Sequence, residues 1–171
     1  MMKKLVLFLM CGLMLTGCAT LKQRLAEGKI NKKVSALSDL KGATVEPVTE
    51  ADGSAALKVT FDSGILFEFN QSELSDEAKT QLSRLVQGIS DMPDSRIRVY
   101  GHTDIVGTAE VNQAKSTQRA NEVAKYLQEK GIAADRITAE GLSFNVPVAD
   151  NSTEEGRAKN RRVEIYVVPA Q

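Results

Sequence analysis

The residues most able to do chemistry lie in the second half of the chain. Asn112, Ser116 and Arg119 are four and three positions apart, and residues at i, i+4 and i+7 share one face of an α-helix. Asp104 comes just before this segment and is a natural neighbour of Arg119. The two side chains could form a structural ion pair, which is the commoner arrangement. They could also bind a zwitterionic ligand, with Asp104 taking its ammonium and Arg119 its carboxylate in a bidentate fork.

The same region offers little for catalysis or metal binding. A catalytic centre needs a nucleophile or a paired acid and base, and no such pair is apparent around Asp104. His102, the single histidine of the chain, is expected to orient its loop by hydrogen bonding. His102 and Asp104 could imitate two metal ligands, but a third ligand is not evident. We therefore expect no enzyme activity, no metal and no cofactor.

The pattern of apolar residues predicts the elements that must position these side chains. Two β-prone runs, 44–48 and 55–61, flank Asp52-Gly53, which is a good hairpin signal. Helices are predicted where apolar residues recur every three or four positions, and strands where they alternate. After the hairpin the predicted order is strand 65–69, helix 75–90, strand 96–100, helix 110–130, strand 136–140, a short helix 153–160 and strand 162–168.

The order of these elements predicts an α+β fold. From residue 55 onward it reads β-α-β-α-β-β, which implies a two-layer sandwich with one sheet covered by two helices. A β-hairpin and a tether precede it. Composition agrees, since 42% of the residues are apolar and 26% charged, close to the ordinary globular mix. The 22 basic and 22 acidic residues cancel, which gives no electrostatic case for nucleic acid as a partner.

The first 17 residues are typical of a secretory signal peptide. Lys3 and Lys4 precede an apolar run over 5–15, shorter than the about 20 residues that a membrane-spanning helix needs. The run ends in Leu15-Thr16-Gly17-Cys18, which resembles the bacterial lipobox, in which the Cys becomes the lipidated first residue. The alternative is an ordinary signal peptide followed by a chance Cys.

Cleavage before Cys18 divides the chain into three parts. We predict a lipoprotein signal peptide over 1–17, the lipidated Cys and a tether over 18–43, and a folded domain over 44–171. The mature chain would carry 20 basic and 22 acidic residues, a net charge of −2. Several acyl chains on one Cys give stable anchoring. Ala19, rather than Asp, favours sorting to the outer membrane.

Nine motifs stand in the order and spacing of one known family. They are Phe69-Asn70, Gly101-His102-Thr103-Asp104, Gly107, Asn112, Ser116, Arg119-Ala120, Pro147, Glu155-Gly156-Arg157 and Asn160-Arg161-Arg162-Val163-Glu164. Over roughly residues 57–168 the chain resembles the OmpA C-terminal-like family, which includes the peptidoglycan-associated lipoprotein and the periplasmic domain of MotB. The lipobox and the hairpin make it similar to small outer-membrane lipoproteins of the YiaD type.

The resemblance implies a lipid-anchored outer-membrane lipoprotein whose domain faces the periplasm. It implies non-covalent binding of peptidoglycan through the diaminopimelate of the stem peptide, and so a link between outer membrane and cell wall. By motif position, Asp104 and Arg119 would bind the zwitterionic end of that side chain. Asn70, Asn112 and Arg161 would line the pocket, and loop amides over 103–106 could add hydrogen bonds.

Two other functions stay open at this stage. The domain could be a periplasmic scaffold whose main partner is another envelope protein or, with less support, a cell-wall hydrolase. Arg157 and Arg162 could contact the ligand or close the final loop. One residue departs from the family pattern, since Lys115 stands where the family usually has Leu. A Lys can lay its stem over apolar surface while its head stays in water.

Overall fold

The computed structural model describes residues 10–68 and 71–170, with side chains from residue 21 onward. Within these residues it contains one five-stranded sheet and five α-helices. The strands are β1 (Ala43–Thr49), β2 (Ala55–Asp62), β3 (Arg96–Gly101), β4 (Ile137–Gly141) and β5 (Arg162–Val168). The helices are α1 (Met10–Leu37), α2 (Ser63–Leu66), α3 (Asp76–Gly88), α4 (Ala109–Glu129) and α5 (Glu154–Asn160), with a 3-10 turn at Ala134–Arg136.

The strand order β1-β2-β5-β3-β4 confirms the predicted α+β sandwich. β1 and β2 form the predicted antiparallel hairpin, and β5 enters the sheet between β2 and β3, antiparallel to both. β3 and β4 are parallel, and α4 makes the crossover that such a pair requires. Gly101, at the end of β3, lies opposite Val163 near the start of β5. The loop after β3 and the segment before β5 therefore meet at one edge of the sheet.

One face of the sheet carries the core. There α1 lies against β1 and β2, α4 lies against β3 and β4, and α3 packs against both helices. The start of α3 is confirmed, because the hydroxyl of Ser75 accepts a hydrogen bond from the amide of Ala78 at 3.0 Å. Thr108 caps α4 in the same way through the amide of Val111. The three central strands contribute Ala55, Leu57, Val59, Phe61, Ile97, Val99, Val163, Ile165 and Val167 to this core.

Residues 18–43 differ from the tether that we predicted. Most of them belong to α1, which ends at Leu37, and Ile30, Leu37 and Leu40 are buried in the core of the domain. Gly28, whose residue type weakens a helix, lies on the exposed side with open space around it. Its cost of about 1 kcal/mol relative to Ala is outweighed by the packing of three apolar side chains, so the folded unit begins well before residue 44. Among the described residues, none of the helices has the length and apolar character needed to span a membrane.

The predicted strand 65–69 is wrong over its described part. The chain forms α2 instead, and only Phe67 pairs, through an isolated bridge with Leu74. Leu66 and Phe67 are both buried although adjacent, whereas successive side chains of a strand point to opposite faces. A short apolar run does not distinguish these cases by periodicity.

Two neighbouring glycines let α4 approach the sheet closely. Gly101 and Gly141 lie opposite each other in the β3–β4 register. A Cβ at Gly101 would collide with the carbonyl oxygen of Ser116, and one at Gly141 with the backbone nitrogen of Thr117. This approach places the first half of α4 over the ends of β3 and β4, and so positions the polar side chains of that helix.

Candidate functional site

A pocket of about 550 Å³ opens beyond the end of β3. Four of the five predicted site residues line it: Asp104, Asn112, Arg119 and Arg161. The fifth, Asn70, lies outside the described residues, so its place in the pocket stays a prediction. The remaining lining residues are Ser63, Gly64, Phe67, Glu68, Thr103, Val106, Lys115 and Glu154. The pocket therefore lies between α2, the loop after β3, the first half of α4 and the two ends of α5.

Asp104 is held by Arg161 and not by Arg119, so the ion pair that the sequence left open is not the one that forms. One carboxylate oxygen accepts a hydrogen bond from Nη1 of Arg161 at 2.6 Å. The other accepts the amide of Val106 at 2.9 Å. The sheet explains the exchange of partners, because β5 lies beside β3 and brings Arg161 directly to the loop that follows β3.

Arg119 lies in the pocket with much of its hydrogen-bonding capacity unused. It is only 7% exposed, and the ring of Phe67 packs against its guanidinium with the centroid 5.1 Å from Cζ. Nη2 donates to the carbonyl oxygen of Gln71 at 3.3 Å. Nε has no hydrogen-bond partner, and no carboxylate in the described part of the chain forms an ion pair with this guanidinium. Burial lowers the pKa of Arg119, and repulsion from Arg161 adds to this effect while Asp104 opposes it.

The loop after β3 is fixed by its own hydrogen bonds. Its amides at Thr103, Ile105 and Val106 donate to Ser143, Asn151 and Asp104 respectively. Asn112 donates from Nδ2 to the carbonyl oxygen of Val106 at 3.1 Å and so braces the loop from α4. Three of the four amides over 103–106 are therefore engaged within the protein, and fewer of them are available to a ligand than the sequence allowed.

Charged residues of α5 form the far wall of the pocket. Glu154 accepts hydrogen bonds from Arg161 at 2.9 Å and from Arg157 at 2.7 Å. The bond from Arg161, followed by that from Arg157, lowers the pKa of Glu154. The bond to Asp104 raises the pKa of Arg161. Arg157 also donates to the carbonyl oxygen of Asn151 at 3.0 Å and does not line the pocket, so it closes the loop before α5.

His102 and Arg162 lie outside the pocket lining. Arg162 is buried and donates from Nε to Glu164 at 2.8 Å, which makes its role structural. His102 is 1% exposed, and neither ring nitrogen has a hydrogen-bond partner within the described residues. Our expectation that its side chain orients the loop by hydrogen bonding is therefore wrong. Burial, with the positive charge of Arg162 adding to it, lowers the pKa of His102 to about 4.

Sequence reasoning missed five residues of the pocket: Ser63, Gly64, Phe67, Glu68 and Glu154. Phe67 supports the guanidinium of Arg119 but was assigned to a strand that does not form. Glu154 bonds Arg161 from the first turn of α5, and Glu68 lines the opening. A signal for Glu154 was present, because Thr153 caps α5 through the amide of Gly156 at 3.0 Å, and a cap places the next residue in the first helical turn.

The charges of the lining are balanced. Lys115, Arg119 and Arg161 are positive, and Glu68, Asp104 and Glu154 are negative. Such a lining suits a ligand that carries both charges better than it suits a polyanion. Lys115, which replaces the Leu usual in the resembled family, is half-buried here and adds to the positive side.

A second depression, of about 560 Å³, lies at the other end of β3. Two of its three arginines are already engaged by the fold. Arg98 pairs with Glu50 at 2.6 Å, and Arg136 donates to the backbone carbonyl oxygens of Ser95 and Met92. The pocket around Arg119 is therefore the better candidate for a binding site.

Comparison with known proteins agrees with the motifs. The profile of the OmpA family matches residues 66–161, more than half of the chain. The chain is 39% identical over 117 residues to the peptidoglycan-binding protein ArfA of Mycobacterium bovis, covering 68% of this chain and 36% of ArfA. It is 38% identical over 109 residues to the outer-membrane lipoprotein YfiB of Pseudomonas aeruginosa, covering 64% of each. It thus spans less than two thirds of the length of these relatives.

The fold is shared with a solved structure. The cell wall anchor of the T6SS from Pseudomonas aeruginosa superposes with a TM-score of 0.69 at 32% identity, covering 82% of this chain and 97% of the other. The matched family segment includes every residue of the pocket except Ser63 and Gly64. The chain belongs to the OmpA family.

Proposed function

We propose that this protein is a lipid-anchored outer-membrane lipoprotein whose periplasmic domain binds peptidoglycan non-covalently and so tethers the outer membrane to the cell wall. The observation that carries the binding proposal is Arg119, a nearly buried guanidinium with a free Nε and no carboxylate partner among the described residues. A cation removed from water without a counter-ion costs on the order of several kcal/mol. A bound carboxylate offsets that cost by pairing with the guanidinium.

The ligand that suits the pocket is the free end of a diaminopimelate side chain, which carries an ammonium and a carboxylate on one carbon. The carboxylate binds Arg119, and the ammonium binds Asp104. Asp104 already bonds Arg161, but Arg161 has a second partner in Glu154 at 2.9 Å. The ammonium can therefore share or take over Asp104 while Arg161 stays paired. Asn112 and Asn70 line the same site in this proposal.

No reaction is assigned to the pocket. Its hydroxyl groups belong to Ser63 and Thr103, and neither has a hydrogen-bond partner within the described residues. A hydroxyl nucleophile must be activated by a neighbouring base. The geometry therefore supports a binding protein over a cell-wall hydrolase.

Similar proteins support the proposal. ArfA is named a peptidoglycan-binding protein, YfiB an outer-membrane lipoprotein, and the solved T6SS structure a cell wall anchor. The segment Leu15-Thr16-Gly17-Cys18 supports lipidation of Cys18 in this chain, with residues 1–17 removed as a signal peptide. The peptidoglycan stem peptide and the membrane are thus the two proposed partners.

A titration with the free amino acid tests the ligand and its place. Residues 18–171 carrying Cys18→Ser are labelled with ¹⁵N and titrated with meso-diaminopimelate, while the backbone amides are followed by NMR. We expect saturable shifts over 103–106 and in the first half of α4, and weaker ones with Nα-acetyl-lysine amide, whose free end carries an ammonium but no carboxylate. Shifts confined to the depression around Arg98, or no shifts at all, would contradict the proposed function.

A further inference from the structure

Beyond the predicted anchor position, α1 has two different faces. Ile30 is fully buried against the core, while Leu21 and Leu25 are 59% and 60% exposed. Lys29 and Lys32 are exposed as well. Positions 21, 25, 29 and 32 follow one another by four, four and three residues, so they form one stripe along the helix, on the side opposite Ile30. We call Leu21, Leu25, Lys29 and Lys32 the outer stripe.

The outer stripe lies in a positively charged segment, whereas the residues that follow it carry a net negative charge. Residues 18–37 carry five basic residues and one acidic residue, a net charge of +4. Residues 38–171 carry 15 basic and 21 acidic residues, a net charge of −6. Of the five cations, Lys33 faces the domain and pairs with Asp91 at 2.6 Å. The other four are exposed to solvent.

Exposed leucines among lysines on one helix face are typical of a helix that lies in the interface of a bilayer. The leucines enter the boundary between headgroups and acyl chains, and the lysine stems extend so that their ammonium groups reach lipid phosphates. The cores of protein–protein interfaces, in contrast, are depleted of lysine. Lys29 and Lys32 within the stripe therefore favour an anionic lipid surface over a protein groove.

We propose that the outer stripe of α1 binds the surface of an anionic phospholipid bilayer. The inference rests on the proposed function in one respect, because lipidation of Cys18 is what holds the stripe beside the membrane. Position 18 precedes Leu21 by three residues, so the two positions share one side of the helix. Leu21 and Leu25 therefore follow the anchor on the side of the helix that faces the bilayer.

This contact has a consequence for the reach of the domain. α1 runs without a break from the anchor position to Ile30, where the helix enters the core. At 1.5 Å per residue, these twelve residues span about 18 Å. With the stripe on the membrane, the domain is held beside the bilayer rather than on a long flexible tether.

Vesicle binding without the lipid anchor tests the proposal separately from anchoring and from peptidoglycan binding. Residues 18–171 carrying Cys18→Ser retain every residue of α1 that packs on the core. This protein is sedimented with vesicles of phosphatidylcholine, either alone or with about 30 mol% of the anionic lipid phosphatidylglycerol. We expect binding to the anionic vesicles that weakens with added salt, and much weaker binding to the neutral ones.

Two double variants and a matched control assign the binding to the stripe. Lys29→Gln with Lys32→Gln should weaken binding roughly 10- to 30-fold, from the contribution of each cation near an anionic surface. Leu21→Ser with Leu25→Ser should weaken it at both low and high salt. Lys125→Gln with Lys159→Gln removes two exposed cations elsewhere and should leave binding unchanged.

Circular dichroism and urea unfolding confirm that each variant is folded. Equal binding to neutral and anionic vesicles, or unchanged binding of both stripe variants, would overturn the proposal. Neither outcome would touch the lipidation of Cys18 or the ligand of the pocket, which have their own tests. Binding that the control variant reduces as much as the lysine variant would assign the effect to total charge and would also overturn it.

Discussion

Arg119 should make the domain select diaminopimelate over lysine in the stem peptide. The two residues differ by one carboxylate at the end of the side chain, and both keep the ammonium. In the structure, the guanidinium is stacked on Phe67, has a free Nε and makes one long bond, from Nη2 to Gln71 at 3.3 Å. A ligand without the second carboxylate leaves this nearly buried cation unpaired.

The magnitude follows from the cost of an unsatisfied group. Leaving a buried polar or charged partner unpaired costs about 1–3 kcal/mol. At about 1.4 kcal/mol per factor of ten, the preference for the diaminopimelate peptide is roughly 5- to 150-fold. Arg119→Ala should weaken binding of that peptide and bring its affinity close to that of the lysine peptide. Asp104→Ala should weaken both peptides to a similar extent, because it removes the partner of the ammonium.

Isothermal titration calorimetry of residues 18–171 with the two stem tripeptides measures this preference. Lys125→Ala is the matched control, since it removes an exposed cation from the same helix without touching the pocket. Equal affinity of the wild-type domain for both peptides would refute the reasoning. So would an Arg119→Ala domain that is folded and keeps the full preference.

Three further outcomes are expected. Cys18→Ser should abolish incorporation of labelled palmitate and release the chain from membranes, and label still entering the variant would exclude this anchor. The pKa of His102 lies below its ordinary value of 6.5, at about 4. Between these two values the unfolded state binds a proton that the folded state does not. The contribution of His102 to stability is therefore complete above pH 6.5 and is lost as the pH falls towards 4. At about 1.4 kcal/mol per pKa unit, the free energy of unfolding should fall by up to about 3 kcal/mol. Urea unfolding of His102→Gln across the same pH range should show no such fall. A variant that keeps the pH dependence of the wild type would contradict the role of His102. Gly141→Ala should lower stability by about 1–3 kcal/mol because its Cβ meets the backbone of Thr117, whereas Gly28→Ala, with open space around it, should not lower it, and equal effects in thermal unfolding would contradict the close approach.

Periodicity predicted the elements that bury one face. The apolar stripe of α3 and the alternation in β5 each require a single partner layer, so local pattern and global fold agree. The predicted strand 65–69 was wrong because Leu66 ends α2 and Phe67 follows it directly, and both are buried on these consecutive positions. α1 was underestimated because its core contacts are few and widely spaced. Whether Ile30 and Leu37 pack or stay exposed depends on surfaces that only the folded domain provides.

The sequence predicted which residues line the site, but not which of their side chains pair with each other. Motif spacing identified Asp104 and Arg119, but nothing local tells whether Arg119 or Arg161 reaches the carboxylate. That choice depends on β5 lying beside β3, a contact between distant parts of the chain. The same long-range packing buries His102 without a hydrogen-bond partner in the described residues, which its sequence neighbours do not reveal.

Sedimentation with purified peptidoglycan sacculi of the diaminopimelate type tests whether this pocket binds the cell wall. The parent protein for this assay is residues 18–171 carrying Cys18→Ser. It is mixed with sacculi and centrifuged, and so are its three variants Arg119→Ala, Asp104→Ala and Lys125→Ala. The parent protein and the Lys125→Ala control should pellet with the sacculi, while folded Arg119→Ala and Asp104→Ala should remain in the supernatant. Pelleting of the folded Arg119→Ala protein to the same extent as the parent would contradict a binding site at Arg119.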